Sequence, residues 1–312
     1  MGMARAALLW ASRNEGLRRR LPRYRFVRAA VRRFMPGEAV EDAVGAAGSF
    51  ARRGLPTTVT ELGENVLSPL DAEEVTQRYL RVIDRVSELG LDTELSVKPS
   101  HLGFDLDRPL AESNLARLAA RAEERSNWIW VDMEASSYVE GTLAIYRNLR
   151  GRFRNVGVCL QAYLRRTRGD VDELVRSDAG IRLVKGAYRE SKDLLVGGKR
   201  DVDEAFFDLA LRALPAAKAG SLRLAVATHD LGLIERIERW GTETGVDRSA
   251  YEIQMLYGIR QPDQFRLLEA GYRVRTLIAY GTHWYPWYMR RLAERPANVF
   301  FVVRNLFQRA PA

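Results

Sequence analysis

Near the C-terminal end of the chain, the stretch YGTHWYPWYMRRLAERPAN sets two arginines side by side, Arg290 and Arg291, behind a run of aromatic residues. Adjacent guanidinium groups suit a small carboxylate, because each fork offers parallel N–H donors. Pro286 fits the first turn of a helix spanning roughly residues 286–295. On that helix Trp287 lies three residues before Arg290. Glu294 lies four residues after Arg290 and three after Arg291, so it can pair with either. Neighbouring helical residues diverge by about 100°. The two arginines therefore approach a ligand from two sides, or one binds while the other pairs within the protein. An exposed helix with an internal salt bridge has the same spacing.

Other polar residues fall at the ends of apolar, often β-branched runs. Eight such runs read as strands: residues 56–64, 93–100, 128–136, 156–164, 181–188, 223–230, 251–258 and 273–281. The first ends in Gly63-Glu64. The second carries Lys98, the third Asp132 and Glu134, the fourth Gln161, and the fifth Arg182, Lys185 and Tyr188. The sixth ends Thr228-His229-Asp230, the seventh carries Gln254, Leu256 and Tyr257, and the eighth leads into the arginine pair. Amphipathic segments such as DAEEVTQRYLRVIDRVSELG and LAESNLARLAARAEERS separate the runs. Alternating strands and helices imply a parallel sheet with right-handed crossovers. Eight units predict an α/β fold, a (β/α)8 barrel whose chemistry gathers where the strands end. A doubly wound open sheet is the alternative; no G-x-G-x-x-G follows the first strand to favour it.

Composition narrows the classes. The single cysteine, Cys159, lies mid-strand and allows no internal disulfide and no cysteine-built metal site, so no metal is expected. No apolar run reaches the roughly 18 residues of a membrane span. AALLWA is short and is followed by arginines rather than a cleavage site. The expectation is a cytoplasmic protein. The net charge of +9 resides in residues 1–35, which hold ten arginines and one acid, Glu15. Tyr24, Val27, Val31 and Phe34 recur there at helical steps, and a further helix precedes the Gly-Leu-Pro turn at 54–56. The expected organisation is a basic helical arm over 1–55 and a barrel over 56–312. The arm reads as a solvated helix packed on the body, or as a surface drawn to anionic lipid at the inner face of a membrane. Without a recognition motif it gives no support to nucleic-acid binding.

The segments ELSVKPS, VDME, CLQAYL, IRLVKGAY, ATHD, IQMLYG and YMRRLAE follow one another at the ends of strands two to eight. In that order they resemble the flavin-dependent proline dehydrogenases, both the bacterial single-function enzymes and the dehydrogenase domain of proline utilization A. The resemblance covers about residues 56–305. It implies oxidation of L-proline to Δ1-pyrroline-5-carboxylate, with non-covalent FAD taking a hydride from proline C5 at flavin N5 and a membrane quinone as electron acceptor. It implies that Arg290 and Arg291 bind the substrate carboxylate, with Lys98, Asp132, Tyr188, Leu256, Trp287 and Tyr288 completing the pocket. Glu64 would pair with Arg291 as a gate. Flavin contacts would come from Gln161, Arg182, Val184, Lys185, Gly186, Ala187, Thr228, His229, Gln254 and Glu294. Arg182 and Lys98 are the candidate catalytic residues.

Two positions depart from the pattern. Family members usually carry tyrosine where this chain has Leu277, four residues before Gly281, and where it has Trp287, three before Arg290. Tyr285 and Tyr288 are the neighbours placed to compensate. The departures motivate an alternative, a flavin barrel acting on another cyclic amino acid. A further alternative is a non-catalytic barrel whose basic arm binds a membrane or polyanion.

Overall fold

The computed structural model describes residues 31–285 together with 288–289. Eight strands run in chain order: β1 (Thr57–Glu61), β2 (Thr93–Val97), β3 (Ile129–Val131), β4 (Val156–Gln161), β5 (Ala179–Val184), β6 (Leu222–Ala227), β7 (Tyr251–Leu256) and β8 (Arg273–Tyr280). Each pairs in parallel with the next, and β8 returns to β1 through the register Leu277 opposite Thr58. The sheet is therefore a closed barrel, and the open-sheet alternative is excluded. Helix α1 (Val40–Ala51) precedes β1. The intervening helices are α2 (Pro69–Glu88), α3 (Arg108–Glu124), α4 (Val139–Arg150), α5 (Thr167–Leu174), α6 (Lys199–Lys218), α7 (Leu231–Thr244) and α8 (Gln261–Glu269).

Local chemistry explains the alternation. Ser68 caps α2 by accepting from Asp71 N, and Pro69 occupies its first position, where a missing N–H costs nothing. Asp230 caps α7 by accepting from Leu233 N, and Gly245 ends that helix in the left-handed conformation. Between caps, the apolar stripe of each helix closes onto the sheet. Tyr79 and Ile83 on α2, Leu115 and Leu118 on α3 and Phe206 on α6 are fully buried. Such burial contributes roughly 25 cal/mol per Å² of apolar surface. Helix α1 joins the same core: Ala43, Val44, Ala47 and Phe50 are buried, and Phe50 stacks on Phe265 of α8.

All eight expected strands form, but most stop earlier than their apolar runs. The strand expected over 128–136 ends at Val131, and the one over 181–188 ends at Val184. The residues left over are the polar ones at the strand ends. They form the rim instead of extending the ladder, because a turn must follow each strand there to start the next helix.

Candidate active site

Inside the barrel, alternate strand residues point inward and several are polar. Ser96 on β2 donates to Asp132 at 2.7 Å, and Arg182 on β5 donates to Ser96 Oγ at 2.9 Å. Arg182 lies 3.7 Å from Asp132, and Lys98 Nζ lies 4.0 Å from the other oxygen of that carboxylate. The Arg182 guanidinium also lies 4.8 Å from the centre of the Trp130 ring, a contact favourable for a cation. Lys98, Asp132 and Arg182 thus form one chain of charges across the ends of β2, β3 and β5. Arg182 is only 3% exposed, yet its Nε has no partner among the described residues. The same holds for Gln161 Oε1 on β4 and Gln254 Oε1 on β7. Buried polar atoms are ordinarily hydrogen-bonded, so these three are available to a polar group that enters the barrel.

The remaining expected residues distribute around the same mouth. Tyr188 donates to Glu64 Oε1 at 3.4 Å, joining the loops after β5 and β1. His229 Nε2 accepts from Leu256 N at 3.4 Å, and Thr228 Oγ1 accepts from Asp230 N at 3.1 Å. Lys185 Nζ is held between Asp203 and Asp230, while the backbone carbonyls of Val184 and Lys185 accept from Ala162 N and Tyr163 N. Gly186 has φ 111°, and a Cβ there would sit 2.3 Å from the Tyr163 ring, so only glycine lets this turn lie against that ring. Ala187 follows it, exposed. Leu256 and Leu277 are register neighbours on β7 and β8, both half-buried. Tyr288 is buried against Phe34 and Trp284, and burial pushes its hydroxyl up to about 12. Arg290, Arg291, Glu294 and Trp287 lie outside the described residues.

Several contributors were not anticipated from sequence. Ser96 and Trp130 build the floor under Arg182. Glu134, noted only as a polar strand end, accepts from Ser100 N at 3.0 Å and Ser100 Oγ at 2.5 Å. Burial pushes the Glu134 carboxyl up to about 7, against those two bonds and the charge of Lys98. Burial also pushes His101 down to about 3, helped by the charges of Lys98 and Arg78. The end of the arm packs on the segment leading to the arginine pair. Val31, Phe34 and Met35 cluster with Trp284, Tyr285, Tyr288 and Met289, and Trp284 Nε1 donates to Glu38 at 2.8 Å. The period-two pattern Glu94, Ser96, Lys98 in TELSVKPS is a sequence signal for inward polar residues that could have found Ser96. Nothing local marks the pairing of Trp284 with Glu38, which are 246 residues apart.

Comparison with known proteins places the chain in a family. The family model described as proline dehydrogenase matches residues 43–304. The chain belongs to the proline dehydrogenase family. Proline dehydrogenase 1 of Bacillus subtilis (strain 168) is 36% identical over 307 residues, covering 98% of this chain and 100% of that protein. Proline dehydrogenase of Deinococcus radiodurans is 37% identical over 281 residues, 88% of this chain and 89% of its own. Among solved structures, proline utilization A from Bdellovibrio bacteriovorus inactivated by N-propargylglycine superposes with a TM-score of 0.81 at 22% identity. That match covers 98% of this chain but 38% of the larger protein, and it supports the shared barrel fold. Among the described residues, no helix is long and apolar enough to cross a membrane, and no His, Cys, Asp or Glu cluster is placed to hold a metal.

Proposed function

We propose that this protein oxidises L-proline to Δ1-pyrroline-5-carboxylate with non-covalently bound FAD and passes the electrons to a quinone. The observation that carries this reading is the Lys98–Asp132–Arg182 charge chain in the mouth of a barrel of this family, with buried donors and acceptors left unpaired.

FAD fits the residues present. Gln161 and Gln254 offer acceptors, and Arg182 offers a fixed cationic donor. Val184, Lys185, Ala187, Thr228 and His229 complete the proposed contacts from β5 and β6, and Glu294 joins them from the last helix. When bound, FAD supplies a two-electron acceptor for the hydride leaving proline C5. The chain's own task is to hold and polarise. Arg182 is fixed by Ser96, Asp132 and Trp130, so it stabilises negative charge developing beside it without reorganising. Lys98 and Asp132 neutralise each other at the rim, close enough to orient a zwitterionic substrate. Arg290 and Arg291 hold the carboxylate, with Glu64 closing over Arg291. Tyr188, Leu256, Trp287 and Tyr288 shape the pocket. Guanidinium groups keep their protons near neutral pH, so the arginines bind rather than transfer protons. The arm, residues 1–35, brings the enzyme to an anionic bilayer where quinone resides, consistent with a cytoplasmic protein docked at the inner face.

An anaerobic visible spectrum before and after adding L-proline tests the reading. A flavin spectrum that bleaches is expected. A flavin spectrum that persists would move the substrate to another cyclic amino acid, such as hydroxyproline or pipecolate, shaped by Leu277 and Trp287. No flavin after incubation with FAD would overturn the cofactor.

A further inference from the structure

Ser100 joins three loops at the barrel mouth. Its N and Oγ both donate to Glu134 after β3, its Oγ accepts from Asn65 N at 3.3 Å, and its carbonyl accepts from Val66 N at 3.4 Å. Asn65 and Val66 directly follow Glu64, and Ser100 lies two residues after Lys98 in the 3₁₀ turn Pro99–Leu102. Ser100 is fully buried and Glu134 is 3% exposed, so water does not substitute for these bonds. The strand-one loop is pressed onto this turn. A Cβ at Gly63 would lie 2.2 Å from His101 Nε2, so the backbone passes directly over the imidazole. Asn65 has φ 53° and its amide donates to Asp105 and Tyr138, which ties the far side of the same loop. Glu64 is thus bracketed by a close approach at Gly63 and two backbone bonds at Asn65 and Val66.

We propose that Glu134 and Ser100 form a positioning hub that sets the places of Glu64 and Lys98 at the rim, and so the affinity for substrate. This rests on the reading of Glu64 and Lys98 as groups that face substrate. Neither Glu134 nor Ser100 needs to touch it. Once ionised, the carboxyl accepts both Ser100 donors through its two oxygens, whereas an amide offers one acceptor and one donor at every pH, so the kinetics are compared at pH 8. With glutamine, one Ser100 donor meets an N–H, and the turn must shift.

The test is steady-state proline kinetics on the flavin-loaded full chain for Glu134→Gln, Glu64→Gln and the double variant. Glu134→Gln is expected to raise the proline KM about tenfold, the scale of one buried hydrogen bond lost. Its kcat and flavin content are expected to stay within about twofold. Glu64→Gln is expected to raise KM on its own and to add little in the Glu134→Gln background, since Glu64 is already displaced. Ser100→Ala, which removes only the hydroxyl, gives a second route, with a smaller rise confined to KM. If Glu64→Gln raises KM while Glu134→Gln and Ser100→Ala do not, or if the effects of Glu64→Gln and Glu134→Gln simply multiply, the hub is overturned. If Glu64→Gln and Lys98→Ala both leave KM unchanged, the underlying reading of those two residues falls, and the hub with it.

Discussion

At the N-terminal end of the barrel, Glu94, Arg223, Glu252 and Arg275 face one another from β2, β6, β7 and β8. Arg275 bridges Glu252 at 3.1 Å and Glu94 at 3.3 Å, and Arg223 reaches both carboxylates. Arg275 also donates to Thr57 O and Asp92. Two acids meet two bases, and each charged group has partners. Burial opposes the charge of Glu252, but Arg275 and Arg223 outweigh it and hold the carboxyl below its usual range. At the C-terminal end, Lys98, Asp132 and Arg182 are spaced more loosely, and Arg182, Gln161 and Gln254 each keep an unpaired atom. Trp130 separates the two ends. Its ring lies 4.8 Å from Arg182 and 5.3 Å from Arg223, and its N–H donates to Glu94. One barrel therefore buries charge in two ways: in a close four-membered cluster that holds strands together, and in a looser chain that the proposed function gives to a ligand.

The largest effect should come from the clustered end. Arg275→Met leaves Glu94 and Glu252 short of a counter-charge and is expected to cost about 4 kcal/mol in urea unfolding. Turnover per folded molecule should hardly change. At the open end, Arg182→Lys keeps the charge but loses the fork. Proline turnover should fall about 100-fold with flavin content and unfolding midpoint nearly preserved.

The next contrast is in pH. The folded Glu134 carboxyl sits at about 7 against an ordinary 4.5. A raised carboxyl adds stability that is fully present below the ordinary value and is lost as pH rises through the folded one. Between pH 5.5 and 8, the wild type should lose about 2 kcal/mol relative to Glu134→Gln, measured by urea unfolding of both. His101 works the other way: its folded value of about 3 against 6.5 contributes stability above 6.5 that is lost as pH falls. The smallest effect is expected from Trp284→Phe, which removes the bond to Glu38. A loss of about 1 kcal/mol should appear in unfolding, with KM moving more than kcat because Glu38 no longer steadies the segment around Trp284.

Much of this was legible in the sequence, and for physical reasons. β-branched runs between amphipathic helices imply a parallel α/β sheet, and eight of them favour a barrel over an open sheet, which the pairing of β8 with β1 then decides. The rim residues Lys98, Asp132, Gln161, Arg182 and Tyr188 stand out because polar side chains interrupt apolar strands there. What escaped depends on long-range register. Glu94 and Glu252 sit on strands that are adjacent to neither each other nor, for Glu94, to Arg223, and only closure of the barrel brings them together. Ser100 looks like an ordinary turn residue until Glu134 and Asn65 are placed beside it. Strand ends were read too long because the chemistry-bearing residues share the extended, apolar neighbourhood of the strands they leave.

The most direct test of the contrast between the two ends is a paired measurement on Arg275→Met and Arg182→Lys: urea unfolding and proline turnover per bound flavin, side by side. The two variants should separate cleanly, the first losing stability and keeping turnover, the second losing turnover and keeping stability. Equal losses of stability in both, or full turnover in Arg182→Lys, would contradict the division between charge that builds the barrel and charge that the proposed function gives to a ligand.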